Sequence, residues 1–408
     1  MIRAILWLSL SLTAGTLWAQ APDSVAQKVE LSVAESSWLE WCQATACASN
    51  DTALWNIRDF VEGETPVLDT ATLKMRMQIL DAASPMDLSW NPVAHSRISF
   101  YAANRPIHLG RMLGRAPLYF PIFEEALDRH DLPMELKYLT VVESGLNPKA
   151  RSHAGASGLW QFMYATGRSQ GLRIDSYIDE RRDPVRSTEA ACQFLKKLYN
   201  QYGDWYLALA AYNAGPGNVN KAIRRSGGKN TFWEIRYFLP RETRNYVPAF
   251  MAVVYLMEFH AEHNIFPATL LDPFSSLDTV GVETVLRFDQ IAAHLDLDEQ
   301  GLELLNPMFR LNIIPGPPQK WPLVLPQEFI PSFLTFQDSM VLHEPERTPE
   351  IVFVPEPLIY KVKNGDVLGK IASDYGVKVK EIREWNGLHG TMIRVGQKLK
   401  IHANPRSL

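Results

Sequence analysis

One carboxylate sits where a carboxylate needs a reason. Glu143 ends the stretch Pro133-Met-Glu-Leu-Lys-Tyr-Leu-Thr-Val-Val-Glu143-Ser-Gly145, which is apolar over most of its length. Pro133 suits the first turn of a helix, Asp131 can cap it and Gly145 ends it, so the stretch predicts a short buried helix with Glu143 in its last turn. Burial disfavours an ionised carboxylate, and so does the partial negative charge at a helix C-terminus. Both raise the pKa, as a general acid working near neutral pH requires. The alternative is a helix-terminal glutamate that faces solvent. Gln161 raises a related question within Leu159-Trp160-Gln161-Phe162-Met163, which reads as the opening of a new helix. A buried amide must find hydrogen-bond partners, either on a ligand carrying hydroxyl or N-acetyl groups or on neighbouring backbone.

The elements that must position these groups are helices. The pattern from Trp90 to Pro133 is helical and breaks at Asp131-Leu132-Pro133. A loop rich in small residues, Asn147 to Gly158, follows Glu143 and lets another part of the chain approach closely. Ser187 and Thr188 can cap the next helix, whose Ala191, Phe194, Leu195, Leu198, Tyr199 and Tyr202 share one face. Gly203-Asp204 interrupts it. Trp205 to Asn213 then makes an apolar helix that Gly215-Pro216-Gly217 stops, bringing Tyr212 and Asn213 to its end. A last helix is expected from Tyr246 to about His260. Residues 20–88 carry Trp38, Trp41 and Trp55 among polar residues without a clean period, which predicts loosely ordered helix and loop and assigns no role.

The 408 residues leave room for two or three domains. Met-Ile-Arg, an apolar run from Ala4 to Trp18 and Ala19-Gln20-Ala21-Pro22 read as a signal peptide over residues 1–19, with cleavage after Ala19 favoured over Ala21 because Pro22 follows the latter. No cysteine stands at that point to carry a lipid. The expectation is therefore an exported, periplasmic chain. Three cysteines fit such a protein; Cys42 and Cys47 either pair across a tight loop or stay free, and Cys192 reads as a small core residue. His260 and His263 lie one helical turn apart without a carboxylate to frame a metal, so no metal and no cofactor are expected. Charge is uneven. Ile359 to His402 holds nine Lys/Arg against four Asp/Glu although the whole chain is at −4, which marks a separate basic module suited to an anionic wall polymer better than to nucleic acid.

Taken together, the separated motifs resemble one family. Glu143-Ser144-Gly145, Gly158-Leu-Trp-Gln161-Phe-Met163, Ala211-Tyr212-Asn213-Ala-Gly215 and Glu242-Thr243-Arg-Asn-Tyr246-Val247 are similar, in order and spacing, to the soluble-lytic-transglycosylase (SLT) domain. Asp179-Glu-Arg-Arg-Asp183-Pro184 and Ser187-Thr188-Glu-Ala-Ala resemble the branch typified by membrane-bound lytic murein transglycosylase D. Tyr164 departs from that pattern, standing where proline is common. The resemblance implies a mainly α, lysozyme-like catalytic domain over residues 89–265, with Glu143 as the single acid/base. Ser152 would hydrogen-bond at the site, and Gln161, Met163, Tyr212, Asn213 and Tyr246 would line the groove. Tyr360 to Ile401 resembles a LysM repeat, a small α+β (βααβ) domain placed at 355–403. That resemblance implies glycan contacts at Gly365, Asp366, Val367, Leu368, Ile393 and Arg394, weakened where Val367 replaces the usual threonine. Residues 266–354 read as a proline-rich linker holding a degenerate LysM-like segment. The implied partner is peptidoglycan glycan strands and the implied state a monomer; peripheral association with the outer membrane is left open. The implied activity is non-hydrolytic cleavage that leaves 1,6-anhydro ends, with a lysozyme-like hydrolase and a non-catalytic wall binder as the alternatives.

Overall fold

The computed structural model of the protein describes residues 69–268, 276–341 and 358–401, except Gly376 and His389, together with Glu64 and Pro66. The signal-peptide reading and the Cys42–Cys47 pair lie outside the described residues. The first body is helical: α1 (Thr70–Ala83), α2 (Pro92–Asn104), α3 (Pro106–Arg129), a 3₁₀ turn at Met134–Tyr138, and α4 (Leu139–Ser144). It continues through α5 (Tyr164–Ser169), α6 (Pro184–Tyr202), α7 (Trp205–Ala214), α8 (Pro216–Arg225), α9 (Phe232–Ile235) and α10 (Arg241–Glu258). In α10 every side chain from Tyr246 to Met257 is buried, as expected of a helix that runs through a core instead of along its surface. It packs against α2, α4 and α7.

Three local readings are corrected. The stretch expected as one helix up to Glu143 is a 3₁₀ turn followed by a short α-helix, and Asp131 does not cap it: Asp131 adopts a left-handed conformation, and the residue before the turn is Pro133. Helix α6 is capped by Asp183, whose carboxylate accepts from Val185 N–H and Arg186 N–H, with Pro184 at the first helical position. Ser187 and Thr188 sit inside the helix, within its first two turns, where their hydroxyls donate to the Asp183 and Pro184 carbonyls. The segment Leu159–Met163 is turn and isolated bridge, and the helix starts only at Tyr164. At the other end of α4 the expectation holds: Gly145 terminates the helix in the left-handed region, φ 59°, where a side chain would be strained.

The boundary at residue 89 moves as well. Leu73 and Met77 of α1, with Met86 and Leu88, belong to the same buried cluster as α2 to α10. Within residues 266–354, expected as a proline-rich linker holding a degenerate LysM-like segment, residues 277–341 form a folded module: β1 (Leu277–Val282), β2 (Leu286–Arg287), α11 (Phe288–Leu295), α12 (Glu299–Leu305), β3 (Ile313–Ile314), β4 (Trp321–Pro326) and α13 (Ile330–Val341). β1 pairs antiparallel with β4, Leu277 opposite Pro326 and Val282 opposite Trp321, and β2 pairs with β3. Among the described prolines of this region, Pro322 and Pro326 stand in β4, and Pro315, Pro317 and Pro318 lie in the loop before it. The last module is β5 (Leu358–Lys361), α14 (Leu368–Asp374), α15 (Val379–Trp385) and β6 (Lys398–Ile401), with β5 and β6 antiparallel, the βααβ order expected. Among the described residues no helix is long and apolar enough to cross a membrane.

Candidate active site

Glu143 is 9% exposed at the C-terminal end of α4, and the hydroxyl of Tyr246, from the second turn of α10, donates a short hydrogen bond to its Oε1. Burial pushes the Glu143 carboxyl up to about 8; the nearby charge of Glu242 adds to the rise and the Tyr246 hydrogen bond opposes it. The carboxyl therefore holds a proton at neutral pH, and once the proton leaves, the tyrosine hydroxyl is in place to stabilise the anion. The reading in which Glu143 faces solvent is excluded. Burial, then the charge of Glu143, likewise raises the Tyr246 phenol well above its ordinary range, so it remains a donor.

Two more of the expected residues come to this point from α7. The Tyr212 hydroxyl donates to the Trp160 carbonyl at 2.7 Å, and its pKa is raised by burial and then by Glu143, which places it in the same electrostatic neighbourhood. Asn213 reaches the site by a different contact: its Oδ1 accepts from the buried Thr243 hydroxyl at 2.8 Å, tying the end of α7 to the first turn of α10.

Ser152 and Gln161 belong to the loop after α4. Ser152 Oγ accepts from Ala156 N–H at 3.0 Å, closing a small turn. Gln161 sits at φ 48°, and its amide nitrogen donates to the carbonyls of Gly158 (2.8 Å) and Ala150 (3.2 Å). Of the two readings open for Gln161, the bond to neighbouring backbone is the one its nitrogen makes. Ser144 Oγ lies 2.9 Å from the carbonyls of both Thr140 and Leu159, which fastens this loop to α4 beside Glu143. Met163, 42% exposed, precedes α5. Sequence reasoning passed over Glu242 and Thr243, although both stand inside a quoted motif; an exposed carboxylate and a helix-turn threonine carry no signal until the fold brings α4 and α7 to them.

In the last module Gly365, Val367 and Arg394 are exposed, and Arg394 lines an open depression with Met392 and Gln397. Gly365 (φ 87°) and Asp366 build the turn after β5: the Asp366 carboxylate accepts from Tyr360 Oη (2.6 Å) and Lys363 N–H (2.7 Å). Ile393 is half-buried against the module's core. Leu368 differs from the other expected contacts: at 2% exposure its side chain packs in the module's core.

Comparison with known proteins places these elements. The family described as "Transglycosylase SLT domain" matches residues 120–234, "Lytic transglycosylase MltD, LysM-like domain" matches 276–341, and "LysM domain" matches 360–402. The SLT match covers Glu143 through Asn213 and stops short of Tyr246, which the fold supplies from α10. Membrane-bound lytic murein transglycosylase D of Escherichia coli (strain K12) is 32% identical over 297 residues, 71% of this chain and 64% of the relative. Soluble lytic murein transglycosylase of the same organism is 32% identical over 146 residues, 34% of this chain and 23% of the relative. The crystal structure of the 70 kDa soluble lytic transglycosylase of Escherichia coli aligns over 59% of this chain and 38% of that one, at 23% identity and a TM-score of 0.33. The chain thus spans less than two thirds of the length of these curated relatives. The chain carries a transglycosylase SLT domain, followed by an MltD-type LysM-like module and a LysM module.

Proposed function

We propose that the protein is an exported peptidoglycan lytic transglycosylase that cleaves the β-1,4 bond between N-acetylmuramic acid and N-acetylglucosamine and leaves 1,6-anhydro ends. The observation that carries this reading is the buried carboxyl of Glu143, raised to about 8 and hydrogen-bonded by a neutral tyrosine. A hydrolase of the usual kind employs two carboxylates as acid and base or as acid and nucleophile. Here one carboxyl can take both parts in turn. Glu143 donates its proton to the glycosidic oxygen as the bond to C1 breaks, and its carboxylate then takes the proton of the muramoyl C6 hydroxyl as that oxygen bonds to C1. Water is not consumed.

Tyr246 holds Glu143 in place and steadies its anion between the two steps. Asn213, with its carbonyl oxygen occupied by Thr243, has amide hydrogens to offer the substrate's N-acetyl group. Ser152 and Gln161 shape the loop along which the glycan lies. The basic LysM module keeps the enzyme on the wall through exposed residues at Gly365, Val367 and Arg394, raising the local concentration of substrate. The protein acts in the periplasm as a monomer. Mass spectrometry of muropeptides released from purified sacculi tests the reading: anhydro-muramoyl products support it, whereas products heavier by one water identify a hydrolase and release of nothing identifies a wall-binding protein.

A further inference from the structure

The loop that carries Ser152 and Gln161 is held from beneath by one guanidinium. Arg181 donates from its Nη1 to the carbonyls of Gly155 (3.0 Å) and Phe162 (3.1 Å), one near each end of the loop segment. Its remaining nitrogens grip Asp179 as a fork, Nε to Oδ1 at 2.8 Å and Nη2 to Oδ2 at 2.7 Å. Both side chains are almost fully buried. Gly158 is where the two strands of chain touch: a Cβ there would lie 1.7 Å from the Arg181 carbonyl oxygen, so the loop can close over this segment only because residue 158 has no side chain.

The same segment is latched on its other side by the LysM-like module. Asp179 N–H donates to the Met308 carbonyl (2.9 Å), Arg310 N–H to the Tyr177 carbonyl (2.8 Å) and Arg310 Nη1 to the Asp175 carbonyl (2.9 Å). Ile178 is wholly buried in the module's own core beside Phe309, and the Arg173 guanidinium lies over the Trp321 ring at 4.7 Å. Lys149, between Glu143 and Ser152, pairs with Glu303 of α12. A module meant only to tether would have no need to share its core with Ile178, in the segment that supports the loop next to the site.

We propose that Arg181 is a positioning residue for the reaction, and that the LysM-like module acts as a brace which, through Met308, Phe309 and Arg310, fixes Asp179 and Arg181 and hence the Ser152–Phe162 loop. Resting on the function proposed above, this makes residues 277–341 part of the catalytic unit and leaves wall attachment to the LysM module. Lysine keeps the charge at 181 but lacks the planar fork that serves Asp179 and two carbonyls at once.

The test is Arg181→Lys in the full-length protein, with Arg310→Met as a second variant that weakens the brace from the module side by removing the side-chain bond to the Asp175 carbonyl. The readouts are kcat and KM on soluble glycan chains and amide hydrogen exchange of Ser152 to Phe162. Folded Arg181→Lys should lose about tenfold in kcat with KM nearly unchanged, since small misplacements of reacting groups act on rate, and the loop amides should exchange markedly faster. Arg310→Met should move both readouts the same way by less. Unchanged kcat and exchange in folded Arg181→Lys overturns the proposal, as does an Arg310→Met protein that loosens residues 173–182 and leaves the Ser152–Phe162 loop as it was. Should Arg181→Lys not fold, Arg310→Met decides alone. If the wild-type protein releases no anhydro products, the function reading fails while hydrogen exchange still judges the brace.

Discussion

Residues 277–341 and 358–401 both set paired strands around two consecutive helices, yet they are built into the chain differently. The first closes its core over Ile178, a residue of the helical body, and exchanges main-chain hydrogen bonds with the 175–179 segment. Among the described residues, the second closes its core over side chains from 360–401 alone, with Ile382, Leu399 and Ile401 wholly buried and Trp385 packed against them. Modules of related pattern can thus serve opposite mechanical ends. One that shares a core transmits position, whereas one with a core of its own transmits only proximity.

The largest expected effect tests whether chemistry belongs to the helical body and to neither module. Glu143→Gln keeps the shape of the carboxyl and its acceptor for Tyr246 but cannot donate the proton, so turnover on sacculi should fall by about 10²–10⁴-fold with the fold intact. A well-folded variant that retains most of its activity would move the chemistry elsewhere. Next in size is removal of residues 355–408. Binding to whole sacculi should drop by about tenfold or more, because a tethered site acts through effective concentration, while kcat on short soluble glycans stays within about twofold. Equal losses on both substrates would show that the second module braces the catalytic body as the first does.

Tyr246→Phe sharpens the picture within the helical body. The ring still fills its place in α10, but the hydrogen bond that holds the Glu143 pKa down is gone. Turnover should fall by about tenfold with little change in KM, and the decline in activity as pH rises through about 8 should shift to higher pH. A pH profile that stays in place would remove Tyr246 from control of the carboxyl.

The smallest effect is on stability. Glu143 has a folded pKa of about 8 against an ordinary value of 4.5, so between these values the folded state binds the proton that the unfolded chain releases. Stability from this group is whole below pH 4.5 and is lost as pH rises toward 8. Glutamine has no proton to release, and Glu143→Gln should therefore melt roughly 5 °C above wild type at pH 7 and close to it at pH 4. Parallel melting curves at both pH values would place the carboxyl in water. The LysM module should show no such dependence on this substitution.

The sequence on its own determined the local frame. Asp204, Gly145, Gly203 and the proline positions mark where helices begin and end, and these marks act through backbone conformation within a few residues. The carboxylate at the end of an apolar run was legible for the same reason, since burial follows from the company it keeps along the chain. Gln161 was not legible, because whether an amide serves a ligand or its own loop depends on a positive-φ turn that no periodicity announces. The burial of Leu368 was not legible either, because it stands next to exposed Val367, and a single step in register turns a side chain from solvent to core.

Only the tertiary structure decided the rest. Tyr246 meets Glu143 across 103 positions of sequence because α10 passes through the core beside α4. Arg181 supports the Gln161 loop because an ion pair with Asp179 is buried between that loop and a module more than a hundred residues further on. Such contacts depend on which faces pack together, and the chain encodes that only through the summed burial of all its apolar surfaces, not in any one motif.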